Sequence, residues 1–513
     1  MVVDEDTNRL ADKEKDLIKP VILIIVALFL GLYLIFTTVL IAKDGVTYIE
    51  EAQMVSNNPI GAVRGVSFGY SFLVFLAHKA AVLFGGGASV HCWILSAQCV
   101  TLLCRLLAII PLYLIGKILV GGEKSFWAVL ILITLPYPAE FGSDALRDWP
   151  HIMFLAWGML FLILGSKTGR WWMFAIAGLV AGLGHTIRPE CAQIVIYGVL
   201  WLLIGLFLPR PDISRLKTLC LILAILIGFA IPAAPYFKAK GEVLPPKLEK
   251  LISCNASRQP NEPEQTDFSC NTGVCTASAA SASADILNAL AGLVRDISDN
   301  MMHFFMLPLV IGFCKQCRRM RKVLLTEWFF IYALLTLYLV MMVLLKINYG
   351  YISRRHCMPM VVFAAFYVPA GLQILASWLC RKTSKSGPAV EENIRRWFFI
   401  LMAVGFGICA VKLARITPLR WDKQGYKEAA EWLSKNTAPA DIIAVPDKRI
   451  AFYAERKGIE YDEKIPKRVD YVVRIVRSAN EKPGPGKGTG EEYSTWVDKR
   501  EKGEKVVICR VIR

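Results

Sequence analysis

Residues 38–55 read TVLIAKDGVTYIEEAQMV, and Asp44 falls two residues past the end of a run, Val21 to Ala42, that holds no charged side chain. Crossing a bilayer takes about 20 apolar residues, so this run is long enough. The arm before it, MVVDEDTNRLADKEKDLIKP, is rich in acids, and no small-residue cleavage motif follows the run. The segment therefore reads as an uncleaved first span rather than a leader. A carboxylate at that boundary has three readings: a solvated edge residue, the cap of a following helix, or a chemical group held against the membrane.

Of the 513 residues, 55% are hydrophobic, and they come in blocks of spanning length. The blocks predict an all-α polytopic domain with about eleven spans, near 21–42, 91–117, 125–140, 150–165, 171–186, 190–208, 218–236, 301–314, 323–345, 357–379 and 396–414. FGYSFLVFLAHKAAVLFG is interrupted by His78 and Lys79 and is expected to lie in the interface, not to cross. Basic residues gather in GKILVGGEKS, SKTGR, PRPDISRLK, KQCRRMRK and RKTSKSGPAVEENIRR. The positive-inside rule then places these loops and the N-terminus in the cytoplasm and the C-terminus outside. That bias accounts for part of the +17 net charge, so nucleic acid is not an expected partner.

The expected organisation is a cytoplasmic arm (1–20), a membrane domain (21–414) and an outer α/β domain (415–513). The membrane domain carries an outer loop at 43–90 with juxtamembrane helices and a longer one at 237–300, where ADILNALAGLVRDISDNM has amphipathic periodicity. In the last region GYKEAAEWLSKNTAPA and DKRIAFYAERKG read as helices, and DIIAVP, DYVVRIV and EKVVICRVI as strands. EKPGPGKGTGEE reads as a flexible turn: no strand feeds it and no GK[ST] closes it, as a phosphate loop requires. Cysteines inside apolar runs read as small buried hydrophobes, and the Cys314/Cys317 pair has no second pair to complete a zinc site. Cys254, Cys270 and Cys275 share the long outer loop with the sequon at Asn255, so a disulfide among them is compatible with an oxidising side.

Four charged clusters fall on the outer side of this topology: AKDGVTYIEEA, SDALRDWPH, HTIRPE and YGYISRRHCMP. Charges at that depth are costly unless paired, hydrated or functional, so four of them on one rim point to a polar site at the membrane surface. Arg354 and Arg355, with Arg147 or Arg188 as a second clamp, suit the oxygens of a lipid phosphate; the alternative for the first two is anchoring to headgroups. Asp44 suits a general base, worth about 10²–10⁴ in rate. In a helix, Asp44, Tyr48 and Glu51 share one face. Asp144, Arg147, Asp148 and His151 are spaced either to pair with one another or to meet substrate, and His185, Arg188 and Glu190 present the same choice. Arg105 is a mid-span charge without an assigned role.

The span followed by AKDGVTYIEEAQMVSNNP, the interfacial GYSFLVFLAHKAAVLFG, SDALRD, ISRRHCMP and the tail YKEAAEWLSKNTAPADIIAVPDKRIAFYA together resemble the GT-C superfamily of integral-membrane glycosyltransferases. The resemblance is to family 39, the dolichyl-phosphate-mannose-protein mannosyltransferase and aminoarabinose transferase-like branch, and it runs over nearly the whole chain. It implies transfer of a hexose or pentose from a polyprenyl-phosphate donor to a lipid, glycan or protein acceptor, in the plasma membrane or, in a eukaryote, the ER membrane. It also implies Asp44 as the catalytic acid, donor phosphate contacts from Arg354, Arg355, Arg147 and Arg188, and a site lined by Tyr48, Glu51, Asp144, Asp148, His151 and Glu190. Many relatives carry a second acid after the first; here Gly45 stands there, so a divalent cation held by paired carboxylates is not expected. The rival readings are a transporter or flippase, which the lack of an obvious repeat disfavours, and a polysaccharide polymerase or ligase using lipid-linked glycans.

Overall fold

The computed structural model describes residues 3–87, 89–207, 214–241, 279–317, 326–350, 352–383, 390–415, 420–462, 465–466, 468–476, 489–498 and 503–511. Among these, eight helices are long and apolar enough to span: Ile18–Thr37, Val90–Val120, Asp148–Thr168, Pro189–Phe207, Arg215–Lys240, Trp328–Asn348, Met358–Lys382 and Val390–Ala414. The other three expected spans take shorter forms. Near 125–140 the helix Gly122–Thr134 stops at Leu135, because Pro136 and Pro138 open a new turn, Pro136–Phe141. Trp171–His185 has 15 residues and Met306–Cys317 has 12. The first helix begins already at Val3, continuous with the expected arm, and the amphipathic segment is the helix Ala279–Asn300. Cys254, Asn255, Cys270 and Cys275 lie outside the described residues.

Trp149, Phe174, Leu132 and Phe363 fill the bundle's interior, whereas Phe29, Phe36, Leu219, Leu223 and Ile231 point outward. Such a surface suits lipid as its solvent, with backbone groups satisfied inside each helix. Close helix contact relies on missing side chains. A Cβ on Gly178 would stand 2.1 Å from Ile225 O, and one on Gly228 2.1 Å from Ala175 O. The buried Arg105 also finds a structural use: its Nη2 donates to Ile133 O at 2.6 Å, at the carbonyl end of Gly122–Thr134, and its guanidinium lies 5.6 Å from the Trp149 ring.

The C-terminal domain holds a sheet of β1 (Ile442–Val445), β2 (Lys457–Glu460), β3 (Tyr471–Val476), β4 (Thr489–Trp496) and β5 (Lys505–Val511), in the order β2-β1-β3-β5-β4. β1 runs parallel to β2 and β3, while β5 is antiparallel to β3 and β4. The helices Gln424–Asn436 and Lys448–Tyr453 cover it. DKRIAFYAERKG is thus helical only in its first half. The chain turns at Glu455, where φ is +55°, and Lys457 and Gly458 enter β2. The Gly-rich run 481–488 lies outside the described residues, and Thr489–Glu492 after it belong to β4. Leu40, from the connector behind the first helix, is buried in this domain's core beside Tyr426, Leu433, Ile450 and Ile508. In exchange, Phe452 packs into the cluster of Val46, Ile49, Tyr70 and Ala97.

Candidate active site

The connector ends at Ala42, whose backbone is extended (φ −59°, ψ 148°), and the next helix runs Lys43–Met54. Asp44 therefore lies inside the first turn and makes no cap hydrogen bond, which rules out the capping reading and leaves its carboxylate free for other partners. The position suits it, since the unsatisfied N–H groups of a helix start favour negative charge.

Asp44 is half exposed, at 52% of its side chain, and its Oδ2 accepts a bond of 2.8 Å from Arg355 Nη1. The same guanidinium donates through Nε to Asp148 Oδ2 at 3.1 Å, and Asp148 is 1% exposed. Its other oxygen lies 3.1 Å from Arg188 Nη2. Acid and base alternate along Asp44, Arg355, Asp148 and Arg188, one residue from each of the four charged clusters. Burial, the largest cause, would make both arginines easier to deprotonate; Asp148 together with Glu190 at Arg188, and with Asp44 at Arg355, outweighs it and holds both above their ordinary values.

The other expected site residues separate by function. Arg147 braces two loops, donating from Nη1 to Val66 O at 3.1 Å and Ile187 O at 3.4 Å, with its guanidinium 5.6 Å from the Tyr48 ring. Burial raises the Tyr48 phenol above its ordinary pKa, against the opposing pull of Arg147. Glu51 turns away from Asp44: it accepts from Val66 N at 2.7 Å and Ser71 Oγ at 2.9 Å, tying its helix to the helix Phe68–Leu83 and the loop before it. His151 lies deeper, with Nε2 3.2 Å from Tyr338 Oη. Glu190 keeps electrostatic contact with Arg188. Arg354 points the other way from Arg355, its guanidinium 4.2 Å from the Tyr137 ring and its carbonyl accepting from Asn300 Nδ2 at 3.0 Å. Next to Arg355, His356 meets Ser353 Oγ at 2.7 Å; burial first, and then Arg188, push its pKa down to about 4.

Asp144, in the bend four residues before Asp148, is wholly buried and serves a different partner. Its Oδ1 accepts from Ala42 N at 3.1 Å, and its Oδ2 pairs with Arg420 at the start of the C-terminal domain. Arg420, Arg449 and Tyr453 escape sequence reading because their contacts with residues 40–42 are long-range and no local spacing announces them. Gly45 is explained by the same junction, since a Cβ there would stand 2.8 Å from both Ala145 Cβ and Ala145 O. A second acid cannot be seated at this position without moving the Asp44 helix off the 144–145 backbone. Among the described residues no three His, Cys, Asp or Glu side chains converge as a metal site would need.

The dolichyl-phosphate-mannose-protein mannosyltransferase family model matches residues 89–234. No curated protein matches the chain in sequence. Among solved structures, ArnT from Cupriavidus metallidurans bound to undecaprenyl phosphate is 14% identical with a TM-score of 0.57, over 95% of this chain and 97% of that one. Its apo form gives 12% and 0.54, over 86% and 85%. The oligosaccharyltransferase AglB from Archaeoglobus fulgidus, with an inhibitory peptide and a dolichol-phosphate, is 12% identical at a TM-score of 0.53, over 88% of this chain and 64% of that longer one. The chain thus shares its fold with ArnT and AglB, and its residues 89–234 resemble the dolichyl-phosphate-mannose-protein mannosyltransferase family.

Proposed function

We propose that the chain transfers a sugar from a polyprenyl-phosphate donor to a hydroxyl-bearing lipid, glycan or protein acceptor, on the outer face of the membrane with the N-terminus inside. The observation that carries this reading is a solvent-reaching carboxylate, Asp44, at the head of a buried ion-pair chain in a GT-C fold. Asp44 takes the acceptor's proton as its oxygen attacks the anomeric carbon. The bond from that carbon to the phosphate oxygen breaks, and its electron pair leaves with the polyprenyl phosphate. A single displacement of this kind inverts the anomeric configuration. Arg355, and Arg147 beside Tyr48, lie where they can share their donors with the departing phosphate. Asp148 and Arg188 keep Arg355 in place.

Mass spectrometry of lipid-linked sugars and surface glycans, with and without the protein, tests the reading: a donor should accumulate and a product vanish when the protein is missing. The likeness to an oligosaccharyltransferase supports a second reading, transfer of a whole glycan block, and the product's mass separates the two. Unchanged lipid-linked sugars and surface glycans would remove both.

A further inference from the structure

Three consecutive residues just before Asp44 have their main chain bound by side chains from far away in sequence. Leu40 O accepts from Arg420 Nη1 at 2.6 Å, Ile41 N donates to Tyr453 Oη at 3.0 Å, and Ile41 O accepts from Arg449 Nη1 at 3.4 Å. Ala42 N donates to Asp144, whose other oxygen is paired with Arg420. A turn after Asp44, Lys448 reaches Thr47 Oγ1. Arg449 is itself oriented by Asp447 through Nε at 2.9 Å and Nη2 at 2.6 Å. Connectors of this kind ordinarily run in water; here Leu40 and Ile41 are fully buried and three of their main-chain groups are bound by the C-terminal domain.

From this we infer that the C-terminal domain is a positioning element for Asp44, acting through Arg420 and Asp144 on the connector 40–42, so that the Asp44 carboxylate is aligned on Arg355 while the domain is docked. Asp144 is in this account a positioning residue whose charge neutralises Arg420 and whose Oδ1 fixes Ala42; it does not meet substrate. The inference rests on the transferase reading for its effect on turnover, but the docking itself does not.

The test uses the full-length protein in lipid nanodiscs with Arg420→Gln, Asp144→Asn, the double variant and the conservative Arg420→Lys. Hydrogen exchange read by mass spectrometry over residues 38–48 should speed up in Arg420→Gln and Asp144→Asn and be largely restored in Arg420→Lys. Sugar-transfer turnover should fall by about 10²-fold, as for a misaligned catalytic group, with donor KM unchanged. The double variant should lose no more than either single change, because the pair acts as one unit. Unchanged exchange in Arg420→Gln overturns the inference whatever turnover does. Faster exchange with wild-type turnover overturns the positioning role. A wild-type protein that transfers no sugar, with the exchange difference intact, refutes the transferase reading and leaves the docking contact standing.

Discussion

Asp144 and Asp148 are buried carboxylates four residues apart, the first in the bend before the helix Asp148–Thr168 and the second at its start, and each pairs with arginine, yet they belong to two regions with opposite demands. Asp148 looks into the bundle, where it holds Arg188 and Arg355 and, through Arg355, the exposed Asp44. Asp144 looks toward the C-terminal domain, where it joins Arg420 to the backbone of Ala42. Both acids make the same kind of bond. What differs is the far end: one chain terminates in a solvent-reaching side chain, the other in a main-chain amide, and a group that ends on backbone controls shape, not chemistry.

The largest effect tests the bundle side. Asp148→Ala leaves two arginines without their shared counter-charge, which for a buried pair costs about 3–5 kcal/mol. Thermal unfolding in detergent should show a much lower midpoint, and an unchanged one would mean the arginines find other partners. Asp44→Asn should do the reverse: turnover down by about 10²–10⁴-fold with the unfolding midpoint nearly unmoved, since the side chain is half exposed. A purified variant that keeps wild-type turnover would break the distinction between the two ends.

Gly45 lies where the two regions touch. Gly45→Ala forces a methyl against Ala145 and should cost about 1–3 kcal/mol in stability together with a loss of turnover. A variant that stays stable and active would show that the helix has room to shift. A pH effect comes from His356. Its pKa in the folded chain is depressed, by burial first, to about 4, from an ordinary 6.5. The unfolded chain binds the proton more readily in that interval, so His356 adds stability that is complete above about pH 6.5 and is lost as pH falls toward 4. His356→Gln should flatten that part of the stability profile, and a profile of unchanged slope would place the titration elsewhere. The smallest effect belongs to Arg354→Ala, which removes a stacking contact on Tyr137 worth about 0.5–1 kcal/mol and leaves the Asp44 chain intact. A large loss of donor affinity in that variant would move the phosphate contact from Arg355 to Arg354.

The bundle region was legible because apolar runs and charge clusters are local signals. AKDG, SDALRD, HTIRPE and ISRRH each supplied one member of the ion-pair chain, and the cost of charge near lipid marked them out. Their internal assignments were not legible. Glu51 shares a helix face with Asp44 by spacing, yet Val66 N and Ser71 Oγ draw it into a loop contact. Arg354 and Arg355 are adjacent and chemically identical, and only the surrounding fold sends one to Tyr137 and the other to two carboxylates. The junction region stayed hidden because its pairs are drawn from opposite ends of the chain. The short β2 and the Gly-flanked β4 carry too little apolar alternation to announce themselves.

Leu40 fills a place in a core whose other members are almost all made last. Synthesis delivers the N-terminal part first, at roughly 5–20 residues per second. Arg420 and Tyr453 therefore emerge long after the connector that they bind. Until then Leu40 has no socket, Ile41 has no partner for its amide, and the connector that leads into the Asp44 helix is unsupported. A product cut short between the helix Val390–Ala414 and Arg420 would keep every apolar helix and lack the contacts that hold residues 40–42.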